Sequence, residues 1–157
     1  MVIKGRSALL AMSVVGLVAS ATVAGAEDSA PISLGQFSAA RDGLAYPPYG
    51  KGQPQISVEK ITIPANTTLP DHCHAVINVA YVLSGNLTMK DESTGKSYSV
   101  EAGHVLPELV GKWHNGKSGS KPVELLVFYA GTVGGPPLTV KEGDKDAQSV
   151  CSSATKS

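Results

Sequence analysis

The sequence has few aromatic residues and no excess of charge of either sign. Aromatic residues make up 5% of the 157 residues, so a core must be built mainly from Val, Leu and Ile. The 13 basic residues balance the 13 acidic ones, whereas a nucleic-acid-binding domain normally shows a basic patch or stripe. The chain also lacks a phosphate-binding loop, a CxxC pair and the residue order of a Ser-His-Asp triad. These absences argue against nucleic-acid binding and phosphoryl transfer.

Helical periodicity and internal repeats are missing as well. The 17 glycines and 10 prolines interrupt the chain too often for long helices. Short β-rich runs recur instead at intervals of about ten residues, which is typical of a β-barrel or β-sandwich. The run at 77–83 is almost continuously apolar, as in a strand covered on both faces, and residues 87–90 are expected to return beside it as a hairpin partner. We therefore expect one all-β domain.

Residues 1–26 have the features of a secretory signal peptide. Lys4 and Arg6 form a basic start, residues 9–23 are apolar, and a small-residue cleavage site ends at Ala26. A membrane-anchoring helix would need about 20 apolar residues, and this run is shorter. We expect cleavage after Ala26, a periplasmic or secreted protein, and no stable membrane anchor. About 130 residues remain, which suits a single domain.

Composition divides the rest of the chain into three parts. Residues 27–54, rich in proline and glycine, are expected to form an extended N-terminal arm. Residues 55–140 hold the β-rich runs, and residues 141–157 form a charged, serine-rich tail that is expected to be flexible. Exported cysteines tend to be oxidised. Cys73 and Cys151 either form a disulfide that pins this tail or remain two free thiols.

Four histidines suggest a metal site. In a strand, His72 and His74 would share a face about 7 Å apart, and two such imidazoles can hold one metal ion with nitrogens about 2.0–2.2 Å from it. His114, from a different strand, would supply a third ligand. The alternative is a chance His-x-His pattern at a polar strand edge. His104 directly follows Gly103 at a predicted turn, so we expect it to be solvated rather than a fourth ligand.

With these histidines in place, the sequence resembles the cupin superfamily over residues 55–132. The positions that carry the resemblance are His72, His74, Asn78 and Gly85 for the first cupin motif, and Gly103, Gly111 and His114 for the second. The resemblance implies a single-domain cupin jelly-roll β-barrel with its site inside the barrel. It also implies a chemistry, since three-histidine cupins include dioxygenases acting on enolisable diketones or thiols. Cupins often dimerise through sheet faces, so a homodimer stays open.

One departure from the cupin pattern concerns the metal site itself. Asn78 stands where the family has a metal-binding glutamate, so the resemblance implies Asn78 as a weak ligand or as a hydrogen-bond partner of bound water. With a neutral amide the centre would keep a formal charge of +2 instead of +1, which makes it a stronger Lewis acid. Three other departures, Asn66, Leu109 and Ser118, concern turns only.

The sequence therefore predicts an exported small cupin that binds one divalent transition metal through three histidines. Ligand type does not choose among Fe, Mn, Zn, Ni and Cu. One reading is a metal-dependent oxygenase, isomerase or hydrolase acting on a small oxygen-rich molecule. The alternative is a non-catalytic cupin that binds or senses a small ligand. An enzyme needs an acid or base near the metal, and within the motifs only Glu108 could serve. The catalytic residues therefore stay unassigned, and Asp71 and Glu108 are suggested as hydrogen-bond acceptors for the histidines.

Overall fold

The computed structural model describes residues 30–155, which form nine strands and one short helix. The signal peptide predicted over residues 1–26 and the start of the arm lie outside these residues. The elements are β1 (Pro54–Ile63), β2 (His72–His74), β3 (Ile77–Ser84), β4 (Asn86–Asp91), β5 (Ser97–Glu101), β6 (Val105–Pro107), β7 (His114–Ser118), β8 (Val123–Thr132), β9 (Thr139–Lys141) and α1 (Ala147–Ser153). Within the described part of the chain, no helix is long and apolar enough to cross a membrane.

The strands form two antiparallel sheets, as a jelly roll requires. One sheet has the order β1-β8-β3-β6 and the other β5-β4-β7-β2-β9. The longest ladder joins β1 to β8 without interruption, from Pro54 opposite Thr132 to Ile63 opposite Val123. The predicted all-β jelly roll is confirmed. Strand β7 carries His114 on a strand separate from β2, as expected, although its sequence HNGKS has no apolar pattern.

Aliphatic side chains fill the space between the sheets, as the shortage of aromatic residues predicts. Strand β8 alternates between the two faces of its sheet, with Val123, Leu125, Val127 and Tyr129 buried. Fully burying one aliphatic side chain of this kind contributes about 1.5–3 kcal/mol. The buried members of this core are Ala40, Ile63, Ala80, Val82, Leu87, Met89, Val100, Leu106, Leu109, Val123, Leu125, Val127 and Tyr129.

Two expectations for the middle of the chain are wrong. Strand β3 is covered fully on one face only, because Asn78, Ala80 and Val82 are buried while Leu83 is 42% exposed. Strand β4 is not its hairpin partner but lies in the other sheet, between β5 and β7. Gly85 makes this crossing with φ 81°, and a Cβ there would collide with the carbonyl of Pro122. Glycine alone accepts such a backbone without strain.

The C-terminal segment is not a flexible tail in its described residues. Strand β9 pairs along β2, and helix α1 buries Ala147 and Cys151. A disulfide joins Cys73 to Cys151, which decides between the two alternatives for the cysteines. The tail is ordered because its apolar side chains pack around this bridge, a contact that its serine-rich composition does not reveal.

Candidate metal centre

Strands β2 and β7 bring three of the four histidines together. His72 lies directly opposite His114 across these strands, and His74 follows two residues later on the same face. Their ring centroids are 4.5 Å apart for His72 and His114, 4.9 Å for His74 and His114, and 5.2 Å for His72 and His74. One candidate ligand atom from each lies within 4.8 Å of the others. The spacing suits three nitrogens around one small ion.

Backbone carbonyls set the orientation of two of these rings. The Nδ1–H of His72 donates to the carbonyl of Pro70 at 2.9 Å, and that of His114 donates to the carbonyl of Lys112 at 2.8 Å. A carbonyl only accepts, so the proton sits on Nδ1 and Nε2 keeps its lone pair. Nε2 of His114 is buried without a hydrogen-bond partner. A buried acceptor of this kind, with a free lone pair, fits a nitrogen that binds a metal ion.

The third ring is held by two side chains. Nδ1 of His74 lies 2.9 Å from the hydroxyl of Thr139, and its Nε2 lies 2.5 Å from Oε2 of Glu108. The same carboxylate oxygen is 3.8 Å from Nε2 of His114. Glu108 is 7% exposed. Burial would raise the pKa of its carboxyl, yet the charge of His74 and the hydrogen bond from its ring hold that pKa well below its usual range. Glu108 is therefore ionised.

His72 is held in its neutral form. Burial, followed by the charges of His114 and His74, lowers the pKa of His72 to about 4. Burial disfavours the charged imidazolium, and a neighbouring cation disfavours it further. A metal ligand must be a neutral imidazole. At neutral pH, His72 is thus already in the protonation state that metal binding requires.

The histidines open into a small cavity between the two sheets. Its volume is about 40 Å³, and one water needs about 10–15 Å³ on this measure. Apart from His72, His74, Glu108, His114 and Asn115, the lining is mainly aliphatic, with Tyr129 at one side. Burial raises the pKa of the Tyr129 hydroxyl to about 12, so this group stays protonated. The space fits an ion with a few water-sized groups beside it.

Asn78 does not line this cavity in the described structure. Its side-chain Oδ1 and Nδ2 are both buried without a hydrogen-bond partner. Its carbonyl accepts hydrogen bonds from the N–H of Glu108 at 3.3 Å and from the Tyr46 hydroxyl at 3.4 Å. The metal-ligand role of Asn78 therefore stays a prediction.

The prediction for His104 is confirmed, because it is exposed and lies outside the histidine cluster. The hydrogen-bond partners of the histidines differ from what the sequence suggested. Asp71 accepts a hydrogen bond from Asn115 instead of orienting a histidine. The hydrogen-bond acceptors of His72 and His114 are the backbone carbonyls of Pro70 and Lys112, which a sequence cannot identify. Thr139 lies outside both motifs and carries no signal of its own.

Comparison with known proteins finds only distant similarities to solved structures. No family model and no curated protein matches the chain. The DMSP lyase DddQ from Ruegeria pomeroyi DSS-3 is 18% identical, with a TM-score of 0.48, over 55% of this chain and 43% of that one. The polyketide cyclase RemF from Streptomyces resistomycificus is 17% identical, also with a TM-score of 0.48, over 68% and 75%. The Cnp3 cupin domain of Schizosaccharomyces pombe is 17% identical, with a TM-score of 0.46, over 54% and 61%. The chain spans less than half of DddQ and less than two thirds of the Cnp3 domain, and these likenesses carry no conclusion about activity.

Proposed function

We propose that this chain, which has the cupin fold, is a small exported metalloprotein that binds one divalent transition metal through His72, His74 and His114. The observation that carries the proposal is the convergence of three imidazoles within 4.8 Å, one of them with a buried and unpartnered Nε2. Export is supported by the signal-like sequence at 1–26. N-terminal sequencing of the exported protein should begin at Glu27.

The donor set fits the first-row divalent metals. Imidazole nitrogens suit Fe, Ni, Cu and Zn, while carboxylate oxygens suit Mn, so the residues around the cavity do not choose one ion. A bound ion would supply Lewis acidity towards an oxygen atom of a small molecule or of water. The aliphatic lining would exclude bulk water, and the protonated Tyr129 would offer a hydrogen-bond donor at the cavity wall. The substrate class that fits is a small oxygen-rich molecule, turned over by oxidation, isomerisation or hydrolysis.

A non-catalytic binding or sensing role is the second candidate. It is favoured by the small volume of the cavity and by the single carboxylate, Glu108, among its described lining residues. An enzyme that uses one group as acid and another as base would need a second carboxylate or similar group. None lines this cavity among the described residues. The two roles differ in what happens to a bound molecule. Incubation of the metal-loaded protein with small hydroxy and keto acids, followed by NMR, would show loss of the compound for an enzyme and unchanged compound for a binding module.

Metal analysis tests the core of the proposal. Protein purified from its native compartment should contain about one metal ion per chain by elemental mass spectrometry. Replacing His72, His74 or His114 by Ala leaves at most two of the three imidazoles, so the metal should be lost or held far more weakly. His104→Ala is the matched control and should keep full metal content. A parent protein that binds no divalent metal, or a His104→Ala variant that loses it, would contradict the proposal.

A further inference from the structure

The residue opposite Asn78 is the buried carboxylate of the histidine cluster. Strands β3 and β6 pair antiparallel with Val79 opposite Pro107, and the N–H of Glu108 donates to the carbonyl of Asn78 one step further along. Directly opposite residues of an antiparallel pair have Cβ atoms about 4.5–5.5 Å apart on the same face. The side chain of Glu108 therefore enters the barrel beside the one position where the family pattern has its acid.

Glu108 is also placed where an ion bound by the histidines would meet it. Its Oε2 lies 2.5 Å from Nε2 of His74 and 3.8 Å from Nε2 of His114. These are the nitrogens that would face the ion, and not the Nδ1 atoms that hold the rings. Glu108 lines the same cavity as the three histidines.

The hydrogen bond between His74 and Glu108 leaves the ring able to bind metal. The Thr139 hydroxyl next to Nδ1 of His74 can donate or accept a hydrogen bond. Without metal, Nε2–H of His74 donates to Glu108 and Nδ1 accepts from Thr139. With metal, Nδ1–H donates to Thr139 and the Nε2 lone pair becomes free, while the Glu108 oxygen loses its hydrogen bond and needs a new partner. A bound ion would give both atoms a partner.

We propose that Glu108 is the fourth protein ligand of the ion, in place of Asn78. The set then contains three imidazoles and one carboxylate, with the carboxylate supplied by the neighbouring strand. The centre has a formal charge of +1 instead of the +2 that an amide ligand would leave. The ion also compensates a buried carboxylate that would otherwise be costly to keep away from water. This inference rests on the proposed metal binding by the three histidines.

Metal affinity and the spectrum of a cobalt probe test the assignment. Glu108→Gln keeps the size of the side chain and should weaken Zn²⁺ binding by at least about 10–100-fold, the loss found even for outer hydrogen-bond partners, in competition with a chelator. The Glu108→Gln variant should also shift the visible absorption bands of bound Co²⁺, because these bands depend on the ligands of the ion. Asn78→Ala, the matched control, should change the affinity by less than about tenfold, below the loss found for hydrogen-bond partners of metal ligands, and should leave the bands in place. The double variant Glu108→Gln with Asn78→Glu returns a carboxylate to the adjacent position and should recover most of the affinity.

The outcomes separate this inference from the proposed function. If Glu108→Gln binds Zn²⁺ as tightly as the parent, Glu108 is not a ligand, although the three histidines still are. A weaker affinity with unchanged Co²⁺ bands would reduce Glu108 to a positioning residue for His74 and overturn the assignment. Loss of affinity in Asn78→Ala would assign the ligand to Asn78. A parent that binds neither ion overturns both proposals.

Discussion

Among single residues, His72 shows how the fold prepares a ligand before any metal arrives. Its ring is enclosed by two other imidazoles, and its pKa is lowered to about 4. An ordinary histidine has a pKa of about 6.5. Between about pH 4 and pH 6.5, this imidazole is protonated in the unfolded chain and neutral in the folded chain. Because the unfolded state then binds more protons, the free energy of unfolding rises with pH over this interval.

The metal-free, disulfide-bonded protein should therefore lose stability as the pH falls from about 6.5 to about 4. The shift of His72 accounts for up to about 3 kcal/mol of this loss. Urea unfolding with chelator present, at several pH values, measures it. His72→Gln removes the titrating group, so its stability should fall less steeply over the same interval. Equal slopes for the parent and the variant would show that His72 does not carry the effect.

The site residues differ in how far the sequence could reveal them. His72, His74 and His114 stand at motif spacings, and strand alternation places the first two on one face. The sequence identified Glu108 as a candidate but could not show which way its side chain points. That direction depends on the pairing of β6 with β3, and this register is set by packing across the barrel. Thr139 lies on β9, a three-residue strand whose sequence TVK predicts no strand. Motif spacing therefore revealed the three histidines, although they lie on the three-residue strand β2 and on the polar strand β7. Glu108 and Thr139 are placed by strand pairings that no local pattern shows.

At the scale of elements, apolar runs predicted strands well and their partners poorly. Strand β3 stands close to where the apolar run at 77–83 predicts it. The turn at 84–86 looks like a hairpin, yet Leu87 and Met89 of β4 are buried in the opposite sheet. Which sheet a strand joins depends on contacts distant in sequence, and the 3.6-residue pattern of α1 is only two turns long. Neither feature can be read from local periodicity.

The disulfide between α1 and β2 should contribute strongly to the free energy of unfolding. The bridge from Cys73 to Cys151 spans 78 residues, and a loop of that size is expected to contribute about 4–5 kcal/mol, mainly by restricting the unfolded chain. The double variant Cys73→Ser with Cys151→Ser should have a free energy of unfolding lower by this amount, measured by urea unfolding, with a correspondingly lower urea midpoint. Reductant should destabilise the parent and leave the variant unaffected. Titration of the unfolded, unreduced parent should find no free thiol, and two thiols would contradict the bridge.

For the whole molecule, metal binding should appear as thermal stability. A ligand that binds only the folded state at 100 times its Kd adds about 2.7 kcal/mol to the free energy of unfolding. For a domain of about 130 residues this corresponds to a rise in Tm of about 10 °C. Calorimetry with and without excess Zn²⁺ should show this rise for the parent and for His104→Ala. His114→Ala should show almost none, and an equal rise in that variant would place the ion elsewhere.

The position of Cys73 has a consequence for the order in which the molecule matures. Cys73 stands between His72 and His74 in a strand of three residues, so the covalent tie to α1 fastens the two ligands as well as the C-terminal segment. Disulfides form in oxidising compartments and are rare in the cytosol. If the chain is exported as we propose, the disulfide that holds β2 and its two histidines forms only after translocation. In that case we expect metal loading to follow oxidation, so that the newly made chain would not compete for cytosolic metal with a finished site.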